Sequence, residues 1–458
     1  MSFTTTYEPM GGSLMVVAKN SVPSLPVEIC ENVIEQLASE PDVEDIRKRR
    51  ALLACALVCK AFYTMSRAVF CRHLAIMRWD LLQGFVKLLE SNPTLLPLVE
   101  SVYLSGRATR DELRPPRASG PLAAFPLIFA RKLPRLRKLH ICCMNPSWFY
   151  TVKPELFYSA LGQFTSVTTL YMRDVTFSSA NHFAKFLDSL PNLEWLTCSH
   201  LRWVRHDQEP IHPHRVIAKP VRVSLKTSLM SLEDTQTLIE FFANPDLDRA
   251  AGIDALSIGR MELRNLQHLG VKQLLHATGL SLRYLKLCLG TVVDTEENAD
   301  DFAGAAAFMS LKDNRNLQIF TLKIHAFYKD TYHCSWLAPL LSECSDQLRE
   351  ANIHMKIGAS TDILTAFLVG INSKQCTDID DILTQPHMSR LKHVAWHIFD
   401  YTGHPVHEEL LHDKFVALFP KLHSRGLLRF RLYSVRREAD EFVDSDVDEN
   451  GHDVDEDS

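Results

Sequence analysis

An apolar-x-x-apolar-x-apolar hexad recurs along this chain. Its clearest copies are Leu136/Leu139/Ile141, Val167/Leu170/Met172, Leu193/Leu196/Cys198, Ile253/Leu256/Ile258, Leu282/Leu285/Leu287, Leu317/Phe320/Leu322 and Leu427/Phe430/Leu432. Weaker copies are Val99/Val102/Leu104, Ala218/Val221/Val223, Leu348/Ala351/Ile353 and Leu391/Val394/Trp396. Alternating apolar positions predict short strands with one buried face. Between the hexads the period changes from two to that of a helix. Ala180–Leu190 puts Phe183, Phe186, Leu187 and Leu190 on one side, Leu263–His276 does the same with Leu266, Leu269 and Leu274, and Asp301–Leu311 and Leu337–Leu348 are similar. A further helix with Trp79, Leu82, Val86 and Leu89 stops at Asn92-Pro93 and is expected to cap the first repeat.

The eleven hexads start between Val99 and Leu427 at a mean spacing of about 33 residues, with individual spacings from 25 to 43. Strand plus helix at this period is the signature of a leucine-rich-repeat solenoid: parallel strands point alternate residues inward and helices cover the outside. An Asn or Cys is expected three positions after the hexad, but Met144, Val175, Leu201, Met261, Gly290 and His325 stand there, so the array is degenerate. A doubly wound α/β domain is the alternative, since its units also alternate. About ten units in a row exceed what one open sheet usually holds, which favours the solenoid. The segments 106–126 and 206–220, rich in Pro, Arg and His, read as long loops, the kind that carry binding.

Residues 21–74 hold the sharpest local pattern. Ser24-Leu25-Pro26-Val27-Glu28-Ile29 reads as a helix start, with Pro at the first turn and an acid close behind it. Ile29, Val33 and Leu37 follow at helical spacing, and Cys30 and Ile34 widen the stripe. A charged stretch, Ser39–Arg50, interrupts around Pro41. An apolar helix then runs from Leu52 to Cys59 and continues through Phe62 and Phe70 to about Leu74. Helices this short and apolar predict either docking onto the rest of the chain or an exposed patch for a partner.

Three ordered segments here, LPVEI, LLACALVCKAF and RAVFCRHL, resemble an F-box. The charged insert 39–50 is longer than the pattern, and Phe62 stands where Trp is frequent. Followed by degenerate leucine-rich repeats, the arrangement is similar to the F-box-like proteins abundant in filamentous fungi. The resemblance implies docking to the Skp-family adaptor, and through it a cullin, of a Skp–cullin–F-box ubiquitin ligase. Carried over by position, it places Leu25, Pro26, Ile29, Leu57, Val58, Cys59 and Phe62 at or just beneath that interface, with Ile29 and Leu57 the first expected to hold the bundle together instead. The implied function is that of a substrate receptor: the repeats would bind a protein substrate whose identity the sequence does not give. A repeat scaffold with no ligase role, its helices only a cap, is the alternative.

The reading is therefore an α/β chain: residues 1–20 disordered, 21–75 an F-box-like helical bundle, 76–437 an irregular solenoid with a parallel sheet, and 438–458 a disordered acidic tail. Composition supports a large core, with 46% hydrophobic and 23% charged residues over 458. The net charge of −5 comes from 50 Lys+Arg against 55 Asp+Glu, unevenly spread. Glu438–Ser458 contains 11 acidic residues and no Lys or Arg, which leaves 50 basic against 44 acidic and +6 for residues 1–437. The 11 cysteines form no C-x-x-C pair, and the Asn92 and Asn145 glycosylation candidates are each followed by Pro. The apolar run Leu14–Ala18 is too short for a signal-peptide core, and no run approaches a membrane span. A reduced, soluble, cytoplasmic or nuclear protein is expected, with Arg47-Lys48-Arg49-Arg50 a candidate import signal.

The sequence lacks the familiar catalytic and cofactor motifs. It has no phosphate loop, no dinucleotide fingerprint and no nucleophile elbow, so neither an enzyme nor a cofactor is expected. His407-Glu408-Glu409-Leu410-Leu411-His412 places its second His one residue beyond the helical zinc spacing, with Leu411 where the ligand belongs. His206, His212 and His214 lie in a Pro-rich loop without further ligands. A surplus of +6 is too small to indicate nucleic acid, although Arg107, Arg110, Arg114 and Arg117 share one loop. Asp446, Asp448, Asn450, Gly451 and Asp457 partly match a calcium loop, but Asp453 stands where an apolar residue packs, so a disordered tail is the expectation. Ser445 lies in an acid-directed phosphorylation context.

Overall fold

The structure is a computed structural model; it describes residues 26–38, 46–106, 121–144, 153–205, 220–228, 230–245, 249–262, 265–291, 308–326, 336–357, 373–400 and 408–434. The expected disordered N-terminus, Leu25, the residues 39–45 of the charged insert, the Arg107–Arg117 loop, the 206–219 histidines, His407, Ser445, the calcium-like loop and the acidic tail lie outside these residues. The chain divides into two compact units, Met1–His73 and Leu74–Ser458.

The first unit holds three helices, α1 (Val27–Ala38), α2 (Ile46–Ala56) and α3 (Lys60–Arg72). The Arg47–Arg50 run, read in sequence as part of a helix-breaking stretch, is instead the start of α2. Four charges in succession are compatible with a helix whose later residues supply the apolar face. Leu57-Val58 turn the chain, and α3 is a separate helix that ends at Arg72 rather than Leu74. Ile34, Leu52 and Val69, one from each helix, form the small core, with Leu37, Phe62, Met65 and Phe70 packed around it.

The second architecture is a long parallel sheet. Its strands are β1 (His73–Ile76), β2 (Ser101–Ser105), β3 (Lys138–Cys142), β4 (Thr169–Arg173), β6 (Trp195–Ser199), β8 (Arg222–Lys226), β9 (Ala255–Glu262), β10 (Tyr284–Thr291), β11 (Ile319–Ala326), β12 (Glu350–Ile357), β13 (His393–Asp400) and β14 (Leu428–Ser434); β5 (Thr176–Phe177) and β7 (Arg202–Trp203) form a small parallel pair of their own. The pairings from β2 to β14 are all parallel. Strand order in the sheet follows chain order without reversal. A doubly wound domain reverses at a switch point, so the unbroken order is that of a repeat solenoid. The sheet begins one strand before the first hexad, because Leu74-Ala75-Ile76 is too short for the period to register.

The hexads explain the core. Val102, Leu139, Leu170, Leu196, Leu256, Leu285, Phe320 and Val394 are all buried, as are their partners two residues on. Two frames differ from the sequence reading. Leu196 pairs with Val223 and Cys198 with Leu225, so this copy is Pro220/Val223/Leu225 and Val221 is exposed. Val394 pairs with Leu428 and Trp396 with Phe430, which moves the last copy two residues earlier than Leu427/Phe430/Leu432. A slip of one residue would turn every side chain to the wrong face, whereas a slip of two preserves the alternation. Hydropathy alone therefore cannot separate the two frames.

Of the positions lacking Asn, Met144, Val175, Leu201 and Met261 are apolar and buried, and Gly290 and His325 are buried too. The turn is held by backbone instead. Cys143, Asp174 and His200, each following a strand, have φ of 53°, 53° and 54°. Their amides donate to the carbonyls of Arg173, Ser199 and Lys226 on the next strand. Gly259 is an extra residue between Ile258, which pairs with Leu287, and Arg260, which pairs with Cys288. A Cβ there would lie 2.8 Å from the Thr227 nitrogen, so only Gly allows the bulge.

Helices alternate with the strands. Trp79–Ser91 buries Leu82, Phe85 and Leu89, while Trp79 itself is exposed. Ala180–Asp188 buries Phe183, Phe186 and Leu187 as the pattern predicted. The predicted Leu263–His276 helix is two, Leu266–Leu269 and Val271–Thr278, because Gly270 turns left-handed at φ 68°. Leu337–Ser342 stops well short of Leu348. The residues 301–307 of the predicted Asp301–Leu311 helix are outside the described ones, and the remainder is not an α-helix. A phenylalanine series continues through successive repeats: Phe177 lies 5.2 Å from Phe183 and Phe183 lies 4.8 Å from Phe241.

Candidate docking surface

The unit of α1–α3 buries little and leaves much apolar surface in water. Among the described residues, 6 of the 17 exposed large apolar side chains fall in these three helices and their turn. Leu57 is 88% exposed, Val58 69%, Leu53 56%, Ile29 46% and Val33 45%. Single exposed apolar residues are ordinary, but several on one small module make it a candidate docking surface.

Local geometry explains why these residues and not their neighbours are exposed. Ile29 and Val33 are one turn apart on α1, and the adjacent Cys30 and Ile34 take the buried side. Leu53 and Leu57 are likewise one turn apart. Past Ala56 the chain leaves the helix, with the Leu57 amide bonding to Ala54 at 3.1 Å and the Val58 amide to Cys55 at 3.0 Å. That turn pushes both side chains outward. Cys59 follows in extended conformation as the residue preceding α3, and its carbonyl accepts from the Tyr63 amide at 2.9 Å.

The residues named from sequence thus separate into two groups. Pro26, Ile29, Leu57, Val58 and Cys59 are exposed. Phe62 is half-buried and packs on the Ile34/Leu52/Val69 core. Leu25 lies outside the described residues. Ile29 and Leu57, the two expected to hold the bundle, are not its core; Cys30, Ile34 and Leu52 are. Val33 and Leu53 were not named and share the exposed side. Their signal was present in the four-residue spacing to Ile29 and Leu57.

No cluster of three or more His, Cys, Asp or Glu able to hold a metal occurs among the described residues, and none of the described helices is long and apolar enough to cross a membrane. Leu411 of the His-rich segment is buried and His412 is exposed. No protein-family model matches the chain, and no curated protein matches it in sequence. Among solved structures it is similar to the yeast complex of Rad7 and Elc1, at 12% identity over 87% of this chain and 92% of that one, with a TM-score of 0.33. It is also similar to an octameric complex of Latrophilin 3, Unc5D and the leucine-rich-repeat protein FLRT2, at 10% identity over 76% and 78%, with a TM-score of 0.28. Likeness at these scores carries no weight for partners or activity, so the functional argument rests on the residues of this chain.

Proposed function

We propose that this protein is the substrate-recognition subunit of a Skp–cullin–F-box type ubiquitin ligase. The α1–α3 unit docks the Skp-family adaptor, and the repeats hold a protein substrate. The observation that carries this reading is the exposure of Ile29, Leu57 and Val58 at the positions where the F-box-like segments put the adaptor contact. An isolated repeat scaffold has no reason to keep these side chains in water, where burying each would stabilise by about 1.5–3 kcal/mol. The chain supplies no catalytic group in this scheme. Ubiquitin transfer follows from holding substrate lysines near the charged conjugating enzyme, a gain in effective concentration.

Co-purification tests the reading. The full chain should capture a Skp-family adaptor, and a Leu57→Glu/Val58→Glu variant should lose it while keeping its melting temperature, since neither side chain is buried. Failure of the parent chain to capture the adaptor would leave the scaffold reading in its place, and retention by the variant would overturn the assignment of Leu57 and Val58 to the contact.

A further inference from the structure

The strand residues that alternate with the hydrophobic core positions form rows across β9–β14, set by the register; Cys288, Gly290, His325 and Ala395 among them are buried and the others are half-buried or exposed. One row is Ser257, Lys286, Thr321, Asn352, Ala395 and Arg429. The next is Arg260, Cys288, Lys323, His354, His397 and Arg431, and the third is Glu262, Gly290, His325, Lys356, Phe399 and Tyr433. These rows hold six Lys and Arg residues against one carboxylate, Glu262, which accepts from the Asn265 amide at 3.1 Å. Glu350 lies one row outside, 3.5 Å from His393. Lys286, Lys323 and Lys356 are half-buried, and Arg429 and Arg431 are exposed. Lys323, Lys356, Arg429 and Arg431 have no carboxylate partner among the described residues.

The cations border a stack of flat rings. His354 lies 4.5 Å from His397, and Phe399 lies 4.7 Å from Tyr433 at an interplanar angle of 10°. Burial first, then the charges of His397, Lys323, Lys286 and Lys356, hold the His354 pKa down at about 3. Independently of any partner, then, the local potential on this face is positive enough to be felt by a titrating group.

We infer that these cationic rows are a docking surface for the chain's own acidic segment, Glu438–Ser458. The segment has 11 carboxylates and no Lys or Arg, so its charge complements the rows. It begins four residues after β14, the strand that carries Arg429 and Arg431. Strands are spaced about 4.8 Å apart, so β9 lies about 24 Å from β14 across the sheet. Twenty-one residues extend up to about 70 Å, enough to cross the rows. Tethering makes the segment an effectively concentrated occupant that an acidic polypeptide arriving from outside must displace. This assignment does not depend on the ligase reading and holds whether or not an adaptor binds α1–α3.

Carbodiimide coupling of the full chain, as an equal mixture of isotope-labelled and unlabelled protein, tests the inference, because it joins carboxylates to amines in contact. Links from the segment to Lys286, Lys323 and Lys356 within one chain are expected. They should fall at least about five-fold in an Arg429→Glu/Arg431→Glu variant and at high ionic strength. Links mainly to Lys272 or Lys414 on helices or to Lys312 in a turn, or between two chains, would overturn it. A second variant with the 11 carboxylates changed to amides leaves the sheet untouched. It should bind a fluorescent poly-glutamate peptide at least about ten-fold more tightly than the parent chain; equal binding would also overturn the inference.

Discussion

His354 shows how a single side chain records its surroundings. It is stacked on His397, lies beside Phe399, and is held neutral to about pH 3 by burial and neighbouring cations. The unfolded chain protonates the same histidine near its ordinary value, about 6.5. Between these two values the unfolded state holds the extra proton, so stability rises with pH and is lost as pH falls through the window. His354→Phe keeps a ring in the stack and removes the titration. Melting temperatures from pH 6.5 to 4 should decline less steeply in that variant than in the parent; parallel declines would contradict the assignment. Cysteines give a second residue-scale test. Burial raises the Cys198 thiol well above its ordinary value and Cys344 to about 12, whereas Cys59 is exposed. A thiol reagent on the native chain should label Cys59 and leave Cys198 and Cys344 unlabelled until denaturant is added. At this scale the sequence was only partly legible. Ile29, Cys30, Val33 and Ile34 are all apolar, and which pair faces water depends on where α3 packs, a fact of tertiary structure.

Elements were more legible, because each hexad carries its own period. The strand positions followed from alternation, and the two misplaced frames kept the correct face. What periodicity misses is irregularity, as at the Gly259 bulge, the left-handed Gly270 and the one short pair of β5 and β7. It also misses contacts far apart in sequence. Arg249 is fully buried, and its guanidinium donates to both oxygens of Asp188 at 3.0 Å, with its Cζ 4.7 Å from the centroid of the Phe241 ring. Asp188 ends the helix of one repeat and Phe241 belongs to the helix Leu232–Ala243 of a later one. Burial lowers the Arg249 pKa, and Asp188 pulls it back up. Removing the carboxylate strands a cation that is 1% exposed, which costs about 3–5 kcal/mol, whereas removing the cation leaves Asp188, whose side chain keeps 11% exposure to water. In urea unfolding, Asp188→Ala should therefore be more destabilising than Arg249→Met. Equal losses would mean that packing, not charge, holds this junction.

On the scale of the whole molecule, the features combine into a division of labour. One unit is three short helices with a small core and several exposed apolar side chains; the other is a strand array, parallel from β2 to β14, with an apolar interior and a cationic strand face over β9–β14. The net charge of −5 describes neither, since the acidic excess lies in 21 residues after the last strand. The repeat architecture was visible in sequence because a strand–helix unit buries its face only against its neighbours and must repeat its pattern. The proposed docking role has its sequence signal only in the resemblance of three short segments, since exposure of Leu57 and Val58 is set by a turn that periodicity reads as continued helix. Equilibrium titration of the full chain with a purified Skp-family adaptor is the decisive experiment. Saturable one-to-one binding is expected, weakened at least about 30-fold in Leu57→Glu, the effect of losing one interface anchor worth about 2 kcal/mol or more. Absence of binding by the parent chain, or identical affinity of the Leu57→Glu variant, would contradict the proposed docking through Leu57.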